Sequence, residues 1–188
     1  MLESLVAQFQ PQFAVDQVAL NLVIAPDLPP AWADPDRVNQ VVINLLANAF
    51  RYTPGDGQVT LRAQANADCL LVTVQDTGVG IDPQHLAHLF ERFYRVDKSR
   101  ARASGGNGIG LTIARHLVYA QGGEIWAESR GKGHGSSFHF TLPVNTSTAD
   151  DMDDDPPQML PVREQCAGYK RGETVPLIEG YSAAAGDG

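Results

Sequence analysis

Apolar positions between residues 34 and 52 repeat with the period of a helix, and this is the clearest pattern in the chain. They stand at the i, i+3, i+4, i+7 spacing of a stripe that faces a core, at Val38, Val41, Val42, Leu45, Leu46 and Ala49. Asp34 and Pro35, just before them, suit a helix cap and a first helical position. The pattern predicts a helix that runs to about Arg51 and is stopped by the breaker at 53–57.

Shorter patterns predict the other elements and the fold class. Strands are predicted at 18–24, 58–65, 69–75, 124–129 and 137–142, with hairpin turns at 66–68 and around 131–135. Helices are predicted at 2–13 (interrupted by Pro11), at about 83–93 and at 109–120. Hairpin-linked strands mixed with helices predict an α+β two-layer sandwich, in which a mixed, mainly antiparallel sheet is covered by helices on one face.

Charge is unevenly distributed along the 188 residues. Residues 145–188 carry nine acidic and three basic side chains, whereas residues 1–144 carry 13 acidic and 11 basic ones. The acidic stretch shows no helical or strand period, which is typical of a chain that does not bury enough apolar surface to fold. We therefore expect a linker or helix stub at 1–14, a folded domain at 15–144, and a disordered acidic tail at 145–188.

Composition also narrows the class of protein. A net charge of −8 argues against general binding to nucleic acid or to anionic membranes. No apolar run approaches the roughly 18 residues that a membrane span needs, and no signal peptide is visible. Cys69 and Cys166 are interpreted as free thiols in a reducing cytoplasm. The expected location is the cytoplasm, with membrane association only through a partner or a missing N-terminal part.

A polar stripe borders the apolar stripe of the predicted helix at 35–51. Asn44 and Asn48 are i, i+4 neighbours, and Arg51 and Tyr52 fall beside them. Amide oxygens are neutral, hard ligands of the kind that suit Mg²⁺. Hydrogen bonding of these amides to loop backbone is the alternative, and for a single Asn it is the preferred one.

Asp76 ends a predicted strand and is followed by a turn that contains Gly78 and Gly80. A carboxylate only accepts hydrogen bonds, so it suits the exocyclic amine of adenine, and glycines allow a flat ligand to approach the backbone. Taken alone, this Asp-x-Gly-x-Gly pattern is usually just a turn.

A second glycine-rich segment, at 105–110, runs directly into the helix predicted at 109–120. Helix N-termini present unpaired N–H groups and partial positive charge, so this segment suits phosphate. It matches neither the Walker A loop nor the Rossmann fingerprint. Five cations precede it and are interpreted as a lid over a triphosphate, with a solvated basic loop as the alternative; they are Arg92, Arg95, Lys98, Arg100 and Arg102.

The order of these segments resembles that of sensor histidine kinases. Residues 44–54 resemble their N box, 76–81 their G1 box, 89–97 their F box and 106–111 their G2 box, and 131–138 is similar to the stretch that closes the domain. The resemblance covers about 15–143. It implies the Bergerat ATP-binding fold shared with Hsp90, gyrase B and MutL, and it identifies 15–144 as a histidine-kinase-like ATP-binding domain.

The resemblance also implies a role for each motif residue. Asn48 would bind Mg²⁺ with Asn44 close to it, Asp76 would bond the adenine amine, and Arg51 and Arg95 would reach phosphate oxygens. Asn48, Arg51 and Arg95 are thus the implied catalytic residues. The other implied ATP-binding residues are Tyr52 along the nucleotide, Gly78, Gly80 and Ile81 at the adenine, and Gly106, Gly108, Ile109, Gly110 and Leu111 at the phosphates. Asn107 is a mild departure, since the family often has Thr or Ser there.

A complete sensor histidine kinase also carries a phosphoacceptor histidine on a dimerising helical hairpin, in a motif like His-Glu-x-x-Thr-Pro. The five histidines lack that context and are interpreted as structural or surface residues; they are His85, His88, His116, His134 and His139. The chain is therefore expected to pass the γ-phosphate of ATP to a histidine on a separate or missing domain, either as a fragment or as a split kinase acting in trans, with a response regulator downstream.

Two other functions stay open at this point. One is a serine kinase of the anti-sigma-factor type with the same fold, although the segment at 90–97 looks unlike that class. The other is a nucleotide-binding interaction module that does not transfer phosphate. A gyrase- or Hsp90-type ATPase is less favoured, because it would need a Glu near the N box to activate water.

Overall fold

The computed structural model describes residues 1–66, 69–96 and 108–144. The elements in chain order are α1 (Leu2–Val15), β1 (Ala19–Ile24), α2 (Pro35–Tyr52), β2 (Gln58–Asn66), β3 (Cys69–Asp76), α3 (Pro83–Leu86), α4 (Gly110–Ala120), β4 (Ile125–Glu128) and β5 (Ser136–Pro143). All five predicted strands are present, and each end differs from its prediction by at most one residue.

The five strands form one sheet in the order β1-β2-β3-β5-β4. β1 runs parallel to β2, and the other three pairings are antiparallel. Helices α1, α2 and α4 supply the buried side chains that pack against one face of this sheet. The predicted α+β sandwich with a mixed, mainly antiparallel sheet is therefore confirmed.

Helix α2 is the central helix of the core, and its sequence signals predict it well. The Asp34 carboxylate accepts hydrogen bonds from the backbone N–H groups of Asp36 and Arg37, at 2.9 and 3.3 Å, which caps the helix. All six residues of the predicted apolar stripe are buried. At the other end, the Thr53 hydroxyl donates to the Ala49 carbonyl at 2.7 Å.

Helix α1 continues through Pro11 to Val15, so the predicted interruption at Pro11 is wrong. Proline removes one helical hydrogen bond, but burial on both sides of it stabilises the helix. Leu5 and Phe13 belong to the main core, and the Phe13 ring lies 4.8 Å from the ring of Phe50 on α2. Tertiary packing here outweighs the local cost of the proline, and α1 is joined to the core of the domain.

The helix predicted at 83–93 is also wrong in length, because α3 ends at Leu86. Hydrogen bonds between residues three apart follow it, and they join His88 to His85, Glu91 to His88 and Tyr94 to Glu91. These turns place the adjacent residues Leu89 and Phe90 in the core together. Phe93 then adopts a left-handed backbone with φ 65°, which a continuing α-helix excludes.

The two cysteines were predicted to be free thiols, and for Cys69 this is wrong because Cys69 is disulfide-bonded. Cys166 and the rest of the acidic tail lie outside the described residues, as do residues 67 and 68 in the turn of the first predicted hairpin. Among the described helices, none has the length and apolar character to cross a membrane.

Phe13→Ala should destabilise the domain strongly if α1 is part of its core. Removing a fully buried Phe side chain costs about 3–5 kcal/mol, since the lost contacts leave a cavity against Phe50. Urea unfolding followed by circular dichroism measures this loss. Val15→Ala on the same helix is the control, because Val15 is exposed and its loss should change stability by about 0.5 kcal/mol or less. Equal effects of the two changes would contradict the packing of α1.

Candidate nucleotide-binding site

Asp76 ends β3 with its side chain buried on the helix-bearing side of the sheet. Its carboxylate oxygen Oδ1 accepts hydrogen bonds from the backbone N–H of Gly78 at 2.8 Å and of Ser136 at 3.2 Å. Oδ2 accepts a hydrogen bond from the Ser136 hydroxyl at 2.5 Å. These three bonds fix the carboxylate between the end of β3 and the start of β5.

Burial sets the electrostatics of this carboxylate. Asp76 is only 4% exposed, and this loss of solvent raises its pKa above the ordinary value. The hydrogen bonds from Ser136 and Gly78 lower the pKa, but they do not cancel the effect of burial. The carboxylate therefore gains from a further hydrogen-bond donor, such as the amine of a ligand.

The turn after Asp76 needs glycine at both predicted positions. A Cβ on Gly78 would lie 2.2 Å from the Tyr52 carbonyl oxygen, so the end of α2 and this turn meet there at backbone distance. Gly80 has φ 71°, and a Cβ on it would lie 2.0 Å from the Gly131 carbonyl oxygen. The two predicted glycines thus allow close approach of three separate chain segments.

The β4–β5 turn holds this glycine turn in place. The N–H of Gly133 donates to the Val79 carbonyl at 2.7 Å, and the N–H of Gly135 donates to the Gly78 carbonyl at 3.1 Å. The Ser129 hydroxyl accepts a hydrogen bond from the N–H of Ile81 at 3.0 Å. The predicted site residue Ile81 is therefore anchored from β4 as well as from its own turn.

Ser129 and Ser136 are site residues that the sequence analysis missed. The resemblance at 131–138 concerns the glycine-rich turn and assigns no role to a side chain there. The contact between Ser136 and Asp76 depends on the register of β3 against β5, which pairs these two residues directly. The one local signal for Ser136 in the sequence is its position as a hydroxyl residue directly after the glycine-rich turn.

Helix α2 carries its predicted polar stripe past this turn. Asn44 and Asn48 are both partly buried, whereas Arg51 and Tyr52 are exposed. The Asn44 amide nitrogen Nδ2 is buried, and within the described residues it has no hydrogen-bond partner. The Asn44 nitrogen is therefore not satisfied by loop backbone, which was the alternative for this residue, and a bound group would supply the missing acceptor.

The N-terminus of α4 faces the same stripe. A Cβ on Gly110 would lie 3.4 Å from the Asn44 amide oxygen, so the first residue of α4 sits against the α2 amide. No side chain caps α4 within the described residues, and its first N–H groups stay available to an anion. Ile109 stands at the N-cap position, and Leu111 follows in the first turn.

The segments on either side of residues 97–107 meet in front of α4. The N–H of Phe93 donates to the Gly108 carbonyl at 3.3 Å, and Gly108 has φ 65° with the Arg95 side chain beside it. Arg95 is therefore close to the helix N-terminus, as its predicted role requires. Gly106, Asn107 and three of the predicted lid cations lie outside the described residues; the cations are Lys98, Arg100 and Arg102.

We take these contacts to mark a candidate groove along α2. Asn44 marks its end at α4, and Tyr52 marks its end at the Asp76 turn, where the Tyr52 carbonyl accepts a hydrogen bond from Val79 N–H at 3.0 Å. Tyr52 is eight positions after Asn44, which is about 12 Å along a helix axis. The Asp76 carboxylate at one end is a buried hydrogen-bond acceptor, and the α4 N-terminus at the other end offers free N–H groups. Together they suit an elongated ligand that has a heterocycle with an N–H donor at one end and an anionic tail at the other.

The histidines are engaged elsewhere in the fold. Four of the five use a ring nitrogen within the domain, where His85 contacts the Tyr94 hydroxyl, His88 the Glu91 carboxylate, His116 the Thr112 carbonyl and His139 the Thr73 hydroxyl. His134 lies exposed in the β4–β5 turn. These positions agree with the structural or surface roles expected from the sequence.

The sheet with helices on one face is a Bergerat-type sandwich. Comparison with known proteins identifies the family to which the chain belongs. A family model described as "Histidine kinase-, DNA gyrase B-, and HSP90-like ATPase" matches residues 33–146, which is more than half of the chain. The chain belongs to this family of ATPases.

Its relatives include sensor kinases. The chain is 43% identical over 123 residues to the sensor histidine kinase WalK of Bacillus subtilis, and 38% identical over 143 residues to the adaptive-response sensory kinase SasA of Microcystis aeruginosa. The matches cover 64% and 76% of this chain but only 20% and 36% of those relatives. The chain thus corresponds to a minor part of each of these relatives.

Solved structures agree with the fold. Full-length ShkA in complex with AMPPNP matches with a TM-score of 0.68 and 30% identity over 79% of this chain and 30% of its own. The catalytic domain of the histidine kinase ThkA matches with a TM-score of 0.66 and 24% identity, over 76% of this chain and 89% of its own. The likeness to ThkA extends over nearly the whole of that domain and bears on the fold alone.

The raised pKa of Asp76 predicts a pH-dependent stability difference. A raised pKa means that the folded chain binds this proton more tightly, so the stabilisation is full below pH 3.8 and is lost as the pH rises through the folded pKa. Asp76→Asn cannot ionise, so it does not lose stability in this way as the pH rises. Its amide oxygen can still accept hydrogen bonds from the N–H groups of Gly78 and Ser136. The unfolding free energy of the variant, relative to the wild type, should rise with pH and then level off.

Urea unfolding of both proteins over a series of pH values measures this difference. A relative stability of the variant that falls as the pH rises would show that the fold favours the ionised carboxylate, contrary to the effect of burial.

Proposed function

We propose that this chain is the Mg·ATP-binding catalytic domain of a two-component sensor histidine kinase. In this role it donates the γ-phosphate of ATP to a histidine that lies outside these 188 residues. The buried Asp76 carboxylate, held by Ser136 and Gly78 at the end of the α2 groove, carries the proposal. Family membership and the AMPPNP bound to the related ShkA support ATP as the ligand.

Recognition of adenine is assigned to the Asp76 end of the groove. The carboxylate is an acceptor fixed by three hydrogen bonds, so it can take one from an exocyclic amine without moving. Gly78 and Gly80 shape this end, because they let the turn pack at backbone distance against Tyr52 and Gly131. Ile81 and Tyr52 flank this end and would cover the base and the sugar.

Binding of the phosphates is assigned to the α4 end. The uncapped N-terminus at Ile109, Gly110 and Leu111 offers backbone N–H groups, and Arg95 lies beside Gly108. Gly106, Gly108 and Gly110 are proposed to let phosphate approach, and Arg51 to reach a phosphate oxygen from α2. The charge of the nucleotide would then be shared by a helix N-terminus and two guanidinium groups.

Mg²⁺ is assigned to Asn48, with Asn44 one helical turn away. Both are amides in the groove, and the buried, unpartnered nitrogen of Asn44 fits a polar ligand there. The donor set of one or two amide oxygens suits an ion that keeps several waters and binds the phosphates as well. When bound, Mg²⁺ neutralises charge on the phosphate oxygens during transfer.

The accepting histidine is assigned to a dimerisation hairpin, in a missing part of the same chain or in a separate protein. Phosphoryl transfer needs an in-line nucleophile, and four of the five histidines here are hydrogen-bonded within the fold. A response regulator would then receive the phosphate. Sensor kinases among the relatives favour this function over an anti-sigma-type serine kinase or a module without transfer activity.

Asp76→Asn should lower the affinity for ATP by about tenfold or more. The amide would present an N–H donor where the adenine amine needs an acceptor, and an unsatisfied buried donor costs about 1–3 kcal/mol. Calorimetric titration of ATP into the two proteins measures this change. The stability measurements described above show whether the variant is folded.

Asp56→Asn is the matched control for this charge change. Asp56 is an exposed carboxylate in the turn before β2, and its left-handed backbone, with φ 64°, is one that Asn adopts readily. Its affinity for ATP should equal that of the wild type. Equal affinity in Asp76→Asn would refute the assignment of adenine to this carboxylate.

Asn48→Ala should remove most of the benefit that Mg²⁺ gives to ATP binding. Titrations with Mg²⁺ and with EDTA give an affinity ratio for each protein, and we expect a ratio of several-fold in the wild type and close to one in the variant. Asn39→Ala, also on α2 but outside the groove residues, should keep the wild-type ratio. If Asn48→Ala kept the wild-type affinity ratio, the assignment of Mg²⁺ to this residue would be wrong.

The chain alone should not acquire a phosphohistidine. Incubation with γ-labelled ATP and Mg²⁺, followed by gel electrophoresis under alkaline conditions that preserve phosphohistidine, should leave the chain unlabelled while it still binds ATP. Addition of the His-bearing dimerisation hairpin that belongs with this catalytic domain should place the label on that hairpin. Label on the isolated chain would contradict an external acceptor.

A further inference from the structure

The sheet has a second buried face, on the side away from the helices. Side chains alternate between the two faces of a strand, so Leu71 and Thr73 point away from the core that contains Val72 and Val74. Leu71 and its β5 partner Thr141 are each only 1% exposed. We define the outer face by six of the buried residues on this side, which are Cys69, Leu71, Thr73, Trp126, His139 and Thr141.

The outer face is one continuous surface across β3, β5 and β4. His139 on β5 lies opposite both Thr73 and Trp126 in the sheet register. Its ring nitrogen Nδ1 is 2.9 Å from the Thr73 hydroxyl, and its ring stacks on the Trp126 indole with centroids 5.1 Å apart. The Glu128 carboxylate marks the β4 edge, where it accepts a hydrogen bond from the indole N–H at 3.2 Å.

This layer is separate from the helix-side core. The three apolar outer-face residues Cys69, Leu71 and Trp126 are buried, yet they do not belong to the main core cluster. Helices α1, α2 and α4 all contribute to that main cluster, and α3 has no buried residue. Cross-strand neighbours alone do not bring a sheet residue to 1% exposure, so this face needs a cover that the described helices do not supply.

The disulfide of Cys69 points to what covers it. The sequence contains one other cysteine, Cys166, in the acidic segment 145–188. This segment begins directly after β5, at a rim of the outer face, because Cys69 lies opposite Pro143 in the register. Cys166 lies 22 positions after Val144, and an extended chain of that length reaches about 73 Å, far more than the face requires.

We infer that the C-terminal segment around Cys166 docks on the outer face and is fixed there by a disulfide to Cys69. Apolar residues near Cys166 supply contacts for this surface, among them Met159, Leu160 and Val162. The bond forms when two thiols lose two protons and two electrons, which a small-molecule disulfide accepts as it becomes two thiols. For these residues the inference replaces the expected disordered tail.

The docked segment leaves the nucleotide groove open. Asp76 points to the helix side of the sheet together with Val74, whereas the outer face lies behind it. The inference therefore does not rest on the proposed function, and its test does not require ATP. Two tryptophans with different exposure make that test direct, since Trp126 is 7% exposed and Trp32 is 57% exposed.

The test uses the full chain with Trp32→Phe, so that Trp126 is the sole indole, and with a specific protease site inserted after residue 146. Peptide mapping without reductant should recover a peptide pair linked through Cys69 and Cys166 from monomeric protein. In the intact chain, acrylamide should quench Trp126 several-fold less than it quenches Trp32 in the matched Trp126→Phe chain.

Cleavage followed by reduction and gel filtration should then release the segment and raise the quenching of Trp126 several-fold, with an unchanged circular dichroism spectrum. Trp32 in the Trp126→Phe chain should not respond. The inference is overturned by a freely reactive Cys69 in the native chain, by a disulfide that joins two chains, or by Trp126 that is quenched as readily as Trp32. It is equally overturned if Trp126 stays protected after the segment is removed. If the circular dichroism spectrum changes when the segment is removed, the peptide mapping and the quenching of the intact chain decide whether the inference holds.

Discussion

The three hydrogen bonds to the Asp76 carboxylate are the interaction on which the site depends. They join the end of β3, the turn at Gly78 and the start of β5 at one buried point. The β4–β5 turn in turn holds the glycine turn through Gly133, and the end of α2 meets Gly78 at backbone distance. Four chain segments are therefore positioned relative to one carboxylate, and a change at this residue disturbs all of them rather than a single contact.

Burial of that carboxylate has opposite effects on stability and on binding. It raises the pKa of Asp76, so the folded chain holds an acid in a place that favours its neutral form. The same burial makes the carboxylate a strong acceptor for a ligand that brings a donor. The domain thus loses some stability at neutral pH and keeps a rigid acceptor at the proposed ligand site, as functional sites commonly do.

Local patterns in the sequence predicted the parts of the fold that local interactions determine. The Asp34 cap, the α2 stripe and the turn at Gly78 were all predicted because their signals lie within a few residues. The run of α1 through Pro11 and the short α3 were missed, since burial of Phe13, Leu89 and Phe90 overrides local propensity there. The partner of Asp76 was missed because Ser136 is 60 residues away and reaches it through strand register.

The contact between Phe13 and Phe50 connects the first helix to the helix that lines the proposed nucleotide groove. Phe50 lies on α2 two residues after Asn48 and two before Tyr52, and the Phe13 ring packs against it at 4.8 Å. Because a close-packed core transmits displacement instead of absorbing it, movement of α1 along its axis must shift or rotate α2. α1 and α2 are therefore mechanically coupled, and α2 carries both the Asn44 and Asn48 amides and the Tyr52 carbonyl that meets the Asp76 turn.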